Sequence, residues 1–244
     1  MRIPSIRAML LGIALIAIAT PAPATQPLRK EPVDLLLCLA ADVSRSVNFE
    51  RFRLQRNGYA AALVDKRVLQ AISSGPHRRI GVTYIEWSGT LQQNTIVEWA
   101  IIDGFDSAQH FKEQLLEAPR LFAGATAIGT AIESCLKALY DAPFTAEKKT
   151  IDISGDGANN DGREPSEARN DAIREGAVIN GLPILSPFMP WSRDPHHTNP
   201  PGGLEAYYRD NVIAGEGAFV VAAESHASFA AAIVKKMIAE IAMR

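Results

Sequence analysis

The stretch from Val33 to Ala41 reads Val-Asp-Leu-Leu-Leu-Cys-Leu-Ala-Ala. A run so nearly apolar has few homes. A strand with one wet face alternates polar and apolar residues. A strand that is apolar almost throughout is covered on both faces, as in the middle of a parallel sheet. The run gives out into Asp42-Val43-Ser44-Arg45-Ser46, an acid and two hydroxyls spaced two apart. Taken alone, this is either a helix-capping turn, for which Asp and Ser are well suited, or a set of hard oxygen ligands at the top of a sheet.

The rest of the chain alternates strand and helix. Asn48 is placed to cap a helix in which Phe49, Phe52, Tyr59, Ala60 and Leu63 recur at helical spacing, and Asp65 to start a shorter one ended by Ser73-Ser74-Gly75-Pro76. Arg79–Trp87 is rich in β-branched and aromatic residues and reads as a strand. Asn94–Ile102 follows closely enough to make a hairpin with it at the sheet edge. A helix capped by Asp106 or Ser107 runs to about Glu117. The small-residue loop Phe122–Gly129 feeds a helix to about Tyr140, and Lys149–Ser154 is a strand ending in Gly155-Asp156-Gly157. Glu164–Glu175 is a helix, Ala177–Leu185 a strand, Leu204–Val212 a short helix, Ala218–Ala222 a last strand and Ser228–Ala242 a closing helix. This order predicts a doubly wound α/β fold. Its central sheet is mostly parallel with one antiparallel edge strand, helices lie on both faces, and ligands bind beyond the carboxyl ends of the strands.

The chain has 244 residues, enough for one domain of ordinary size. Its first 24 residues have a different character. Arg2 and Arg7 precede the apolar run Met9–Ala19, which at about a dozen residues is short of the roughly 20 that span a bilayer. Ala22 and Ala24 then offer a small-x-small cleavage site. This layout is that of a secretory signal peptide, so residues 1–24 are expected to be removed, 25–32 to be a polar leader and 33–244 to be one domain, periplasmic or secreted and without stable membrane insertion. Cleavage takes two of the 25 bases and none of the 27 acids, moving the formal charge from −2 to −4 (23 − 27). A mildly acidic domain without a basic patch is a poor nucleic-acid binder.

Export permits disulfides, and the chain has two cysteines, Cys38 and Cys135. Cys38 lies four strand residues below Asp42, about 13 Å at 3.3 Å per residue. Cys135 lies nine mostly helical residues after Thr126, also about 13 Å at 1.5 Å per residue. If Asp42 and Thr126 share one rim, the sulfurs lie at similar depth. Equal depth does not settle the Cβ directions, so a bridge and two buried thiols both remain open.

Asp42, Ser44 and Ser46, then Thr126, then Asp156 each fall just after, or between, elements on the same rim. Two carboxylates and three hydroxyls form an all-oxygen set suited to Mg²⁺, or to Mn²⁺ or Ca²⁺, and lack the His and Cys that zinc prefers. Such a set leaves room for one outside ligand, for which a partner's carboxylate is well matched. No nucleophile–base pair stands beside it, which points to binding rather than catalysis.

Asp42-x-Ser44-x-Ser46, followed by Gly124-x-Thr126 and Gly155-Asp156-Gly157, resembles the von Willebrand factor type A (VWA) domain with its metal-ion-dependent adhesion site, over about Val33 to Met243. The resemblance implies that Ser44, Ser46 and Thr126 bind the metal directly and that Asp42 and Asp156 commonly act through water. It also implies a cation-dependent protein- or peptide-binding module. Tyr84–Gly89 and Ile153–Asn160 resemble segments of an exported bacterial branch of unknown function.

Gly155–Asp161 also resembles the acidic loop of haloacid-dehalogenase-type phosphatases, in which Asp42 would be the nucleophile and Mg²⁺ the cofactor. That family usually carries a second acid where this chain has Ser44. Asn159, Asn160 and Asp161 do not fit a calcium loop and read as a polar turn. The segment Ser186–Gly203, rich in proline, holds Trp191, either a partner anchor or a pin for its own loop, and His196-His197, which as a pair offer metal ligands but on such a loop are expected to be solvated. Tyr84 and Trp87 read as core, and Glu86, beside the rim, as a strand terminator rather than a contact to the metal's water shell.

Overall fold

The computed structural model describes residues 30–186, 195–225 and 228–242. The expected signal peptide and Trp191 lie outside the described residues. The strands are β1 (Glu31–Pro32), β2 (Leu36–Asp42), β3 (Ile80–Trp87), β4 (Gln93–Ile102), β5 (Phe144–Thr145), β6 (Lys149–Gly155) and β7 (Ala177–Pro183). The helices are α1 (Phe49–Leu63), α2 (Lys66–Ser73), α3 (Phe105–Glu117), α4 (Ile128–Asp141), α5 (Pro165–Arg174), α6 (Pro195–Thr198), α7 (Leu204–Asn211) and α8 (Phe229–Ala242).

The main sheet has the order β4-β3-β2-β6-β7. β2 lies in the middle, parallel to β3 on one side and β6 on the other; β7 is parallel to β6, and β4 is antiparallel to β3 at the edge. Every residue of β2 is buried, because helices cover both faces. Leu35, Leu37, Leu39 and Ala41 pack with Tyr59, Tyr84, Phe111 and Phe229 on the side of α1, α2, α3 and α8. Leu36, Cys38 and Ala40 pack with Ile128, Ile132, Ala168 and Tyr208 on the side of α4, α5 and α7. The near-continuous apolar run is the signature of this two-sided burial. β4 has sheet on one side only, and its looser patterning matches its half-exposed residues.

Several boundaries differ from the sequence reading. Glu31–Pro32, within the polar leader, pairs in parallel with β5, a two-residue ladder too short to leave a periodicity. The helix α3 begins at Phe105, ahead of its expected caps, with Ser107 Oγ accepting from the amides of Asp103 (3.0 Å) and Gly104 (3.2 Å). The expected strand at Ala218–Ala222 is reduced to isolated bridges of Val220 to Gly181 and Ala223 to Ile184. The reason lies in β7. Gly181 N–H donates to Phe219 O and Leu185 N–H to Ala223 O, but the donor due between them belongs to Pro183, which has no N–H.

Cys38 of β2 and Cys135 of α4 form a disulfide with their Cα atoms 5.8 Å apart. It ties the central strand to the helix that follows Thr126.

Candidate metal centre

The strand β2 has β3 and β6 on opposite sides, so the chain leaves its two neighbours in opposite senses. In open α/β sheets such a point opens a crevice beyond the carboxyl ends of the strands. Asp42 is the last residue of β2 and stands there with 0 % of its surface exposed. Its Oδ1 accepts from Ser44 N–H at 2.7 Å, which folds the turn back on itself. That turn brings Ser44 Oγ to 3.0 Å from Ser46 Oγ, and Ser46 Oγ donates to Asp156 Oδ1 at the end of β6. The structure therefore links Asp42, Ser44, Ser46 and Asp156 in one chain of contacts.

Thr126 reaches the same rim through backbone ties. Arg45 N–H donates to Gly124 O at 3.0 Å and Ala127 N–H to Ser88 O at 2.8 Å. Asn160 and Thr126 clasp each other, Thr126 N–H to Asn160 Oδ1 at 2.8 Å and Asn160 N–H to Thr126 O at 2.9 Å. Asn159 Oδ1 accepts from Ile128 N–H at 2.7 Å, satisfying one donor at the start of α4. Asp161 Oδ2 accepts from Thr90 N–H at 2.8 Å. The polar loop after Asp156 thus ties itself to two other rim segments, the stretch leading into α4 and the turn between β3 and β4.

The electrostatics are unbalanced. Asp42 and Asp156 are both fully buried. Burial, and next the Asp156 charge, push the Asp42 carboxyl up to about 8, while the Ser44 amide and hydroxyl pull it down. Burial also raises Asp156, against the downward pull of its hydrogen bond from Ser46 and of the Arg51 charge. Arg51 Nη1 lies 3.4 Å from Asp156 Oδ2 and 3.3 Å from Ser46 O, a long and partial compensation. Asp42 Oδ2 and Tyr208 Oη are buried with no hydrogen-bond partner. Both crowd Gly155, where an added Cβ would sit 3.0 and 2.7 Å from them. A buried acid pair with an orphaned oxygen is unfavourable unless a cation joins it. Among the described residues no three His, Cys, Asp or Glu side chains gather as metal ligands. The oxygen donors here are mainly hydroxyls, which suits a hard ion.

Several contributors leave little sequence signal. Arg120 stacks over Phe52, 5.0 Å from its centroid, and donates through Nη2 to Val43 O and Val47 O, each at 2.8 Å, holding the Asp42–Ser46 loop from beneath. Nothing local marks it, 77 positions from Val43. Arg51 has a local signal: a helix capped at Asn48 turns its first-turn side chains back toward Ser46. Tyr84 and Trp87 are buried. Glu86, expected to end its strand, instead forms a buried ion pair with Arg56 Nε at 2.7 Å. His197, expected to be solvated, is half-buried with Nε2 3.2 Å from Thr126 Oγ1.

This sheet order and this rim define a VWA fold. Solved structures agree. Proximal thread matrix protein 1 of the mussel byssus superposes with a TM-score of 0.58 at 13% identity over 87% of this chain and 49% of its own. The pilus adhesin SpaC of Lactobacillus rhamnosus GG gives 0.58 at 16% identity over 85% and 30%. A von Willebrand factor type A protein of Catenulispora acidiphila gives 0.56 at 13% over 86% and 43%. The chain spans about half or less of the length of these structures. No curated protein matches the sequence. Within this fold the chain belongs to the DUF1194 family, described as a protein of unknown function, whose model matches residues 32–244.

Proposed function

We propose that this chain is a divalent-cation-dependent protein- or peptide-binding module of the cell envelope, without catalytic activity. The observation that carries the reading is the buried Asp42–Asp156 pair, with an orphaned oxygen on Asp42, beside the hydroxyls of Ser44, Ser46 and Thr126. Ser44, Ser46 and Thr126 would ligate the ion, with Asp42 and Asp156 neutralising it directly or through water. The bound cation would present a positive centre to a carboxylate from a partner. Mg²⁺ is the first candidate, with Mn²⁺ or Ca²⁺ next. The site of the mussel protein is described as zinc-occupied in one structure, which keeps transition metals in the set to be tried.

The surroundings support a docking face. Large apolar side chains stand exposed toward the rim, Phe49 at the start of α1 (66 %), Leu91 in the turn between β3 and β4 (96 %) and Leu121 in the loop before α4 (55 %). Exposed apolar groups around a charged centre are a common composition for a recognition surface. Among the described residues no helix is long and apolar enough to cross a membrane. The neighbours include a pilus adhesin and a byssus matrix protein, which supports an extracytoplasmic binding role. Nothing favours Asp42 as a phosphatase nucleophile: the acid expected two residues on is Ser44, whose hydroxyl faces Ser46.

Adding Mg²⁺ to chelator-treated protein should raise its melting temperature, and Asp42→Ala should remove the rise. Immobilised protein should retain envelope proteins in Mg²⁺ and release them in chelator. A wild-type protein whose melting no divalent cation moves would refute the site. Capture indifferent to chelator would refute its role in binding.

A further inference from the structure

We propose that His197 is a positioning residue for the metal ligand Thr126, acting as an imidazole whose Nε2 carries the proton and donates to Thr126 Oγ1. The proposal rests on the metal-site reading above and assigns His197 an outer role, in contact with a ligand and not with the ion.

The contacts form a closed circuit. Asn160 Oδ1 is committed to Thr126 N–H at 2.8 Å. The amide NH₂ of Asn160 therefore points away from that bond, and it lies 3.4 Å from His197 Nδ1. An NH₂ has no acceptor capacity, so Nδ1 must be the acceptor and the ring proton of neutral His197 sits on Nε2. That nitrogen is 3.2 Å from Thr126 Oγ1. Asn160 thus holds Thr126 three ways, at its backbone N–H and its carbonyl directly and at its hydroxyl through the imidazole. An N–H donated to one lone pair of Oγ1 leaves the other lone pair to face the site.

Two further observations place the ring. His197 O accepts from Ala158 N–H at 2.8 Å, anchoring α6 to the loop after Asp156. The imidazole lies against Gly157, where a Cβ would come within 2.2 Å of Nε2 and 2.3 Å of Cε1. Glycine after Asp156 is what lets the ring lie over the rim, and any larger residue there would lift it off Thr126. Outer partners of this kind orient first ligands, and their loss commonly weakens metal binding by about 10- to 100-fold.

The test uses the mature chain and Mn²⁺ and Mg²⁺ as probes, with affinity measured calorimetrically. His197→Ala should weaken Mn²⁺ binding about tenfold or more, while the chelated protein keeps its melting temperature. His197→Gln, which restores an N–H donor, should recover most of the loss. Ring ¹⁵N shifts of the wild type, taken where the imidazole is neutral, should show a proton on Nε2 both before and after metal. Equal affinity of wild type and His197→Ala overturns the inference and leaves the metal site standing. A proton on Nδ1, or Nε2 losing its proton on metal binding, also overturns it, the second result making His197 a direct ligand. A wild type that takes up no metal ends the metal-site reading and this inference with it. If His197→Ala fails to fold, the glutamine variant and the ring shifts decide.

Discussion

Replacing Asp42 by Asn should make the metal-free protein more stable while destroying its response to metal. In the unfolded chain this carboxyl ionises near its ordinary 3.8, whereas in the fold burial and the neighbouring Asp156 push it up to about 8. At neutral pH the fold must therefore hold it protonated or bear the buried charge, a cost of about 4 kcal/mol at 1.36 kcal/mol per pH unit. Asn carries no charge. It keeps an oxygen for the Ser44 amide and places an NH₂ toward Tyr208 Oη, which has no partner in the wild type. The expected gain is about 2–4 kcal/mol, or roughly 5–15 °C in melting temperature for a domain of this size. Mg²⁺ at about a hundred times its dissociation constant should return about 2.7 kcal/mol to the wild type and nothing to the variant.

The assay is a pair of melting curves per protein at neutral pH, in chelator and in Mg²⁺. The same group sets a pH dependence. Its folded value lies above its unfolded one, so its stabilising contribution is full below about 4 and is lost as pH rises toward about 8. The metal-free wild type should weaken across that window more steeply than Asp42→Asn. A variant less stable than the wild type in chelator would refute the reasoning, because it would mean that the protein satisfies the Asp42 carboxylate without a cation.

Other outcomes follow from the same structure. Reducing the Cys38–Cys135 bridge, or replacing both residues by Ala, should cost about 4–5 kcal/mol, since the bridge closes a loop with a sequence separation of 97; denaturant melts with and without reductant measure it. Lys236→Met should destabilise by about 3–5 kcal/mol, because Lys236 is the buried cation between Asp152 at 2.8 Å and Glu240. Burial, opposed by Lys236, puts Asp152 at about 7, so its contribution is also lost as pH rises from about 4 to about 7; Asp152→Asn should flatten that part of the urea-melt pH profile. Arg120→Ala should leave Val43 O and Val47 O without their guanidinium, costing about 1–3 kcal/mol. It should also lower Mg²⁺ affinity by calorimetry, and unchanged affinity would show that the loop holds itself.

Features carried by short-range chemistry are legible in the residue order. The apolar run into Asp42 marks a central strand, because burial on both faces leaves no place for polar residues. Asn48 and Asp65 mark helix starts, and both side chains accept from backbone amides as expected. The rim order is readable because Asp42 and Asp156 stand at or just after the carboxyl ends of strands, where ligands of an α/β sheet bind, with Ser44 and Ser46 in the turn after Asp42, while Thr126 lies in the small-residue loop that opens α4. Legibility fails where a partner strand governs the outcome, as at Ala218–Ala222 beside the proline of β7, and where pairing is too short to leave a pattern, as at Glu31–Pro32.

Periodicity, caps and strand-end residues act over a few positions, and they suffice for the fold class, the edge hairpin and the rim on which a site has to lie. Which distant groups meet on that rim is a matter of tertiary packing. Arg120 grips a loop 77 positions away, Asn160 clasps Thr126 from 34 away, and His197 approaches Thr126 from 71 away across Gly157. These partnerships depend on how loops from different strands settle against one another. No residue spacing encodes that, because chain separation and spatial distance become independent once the sheet is assembled.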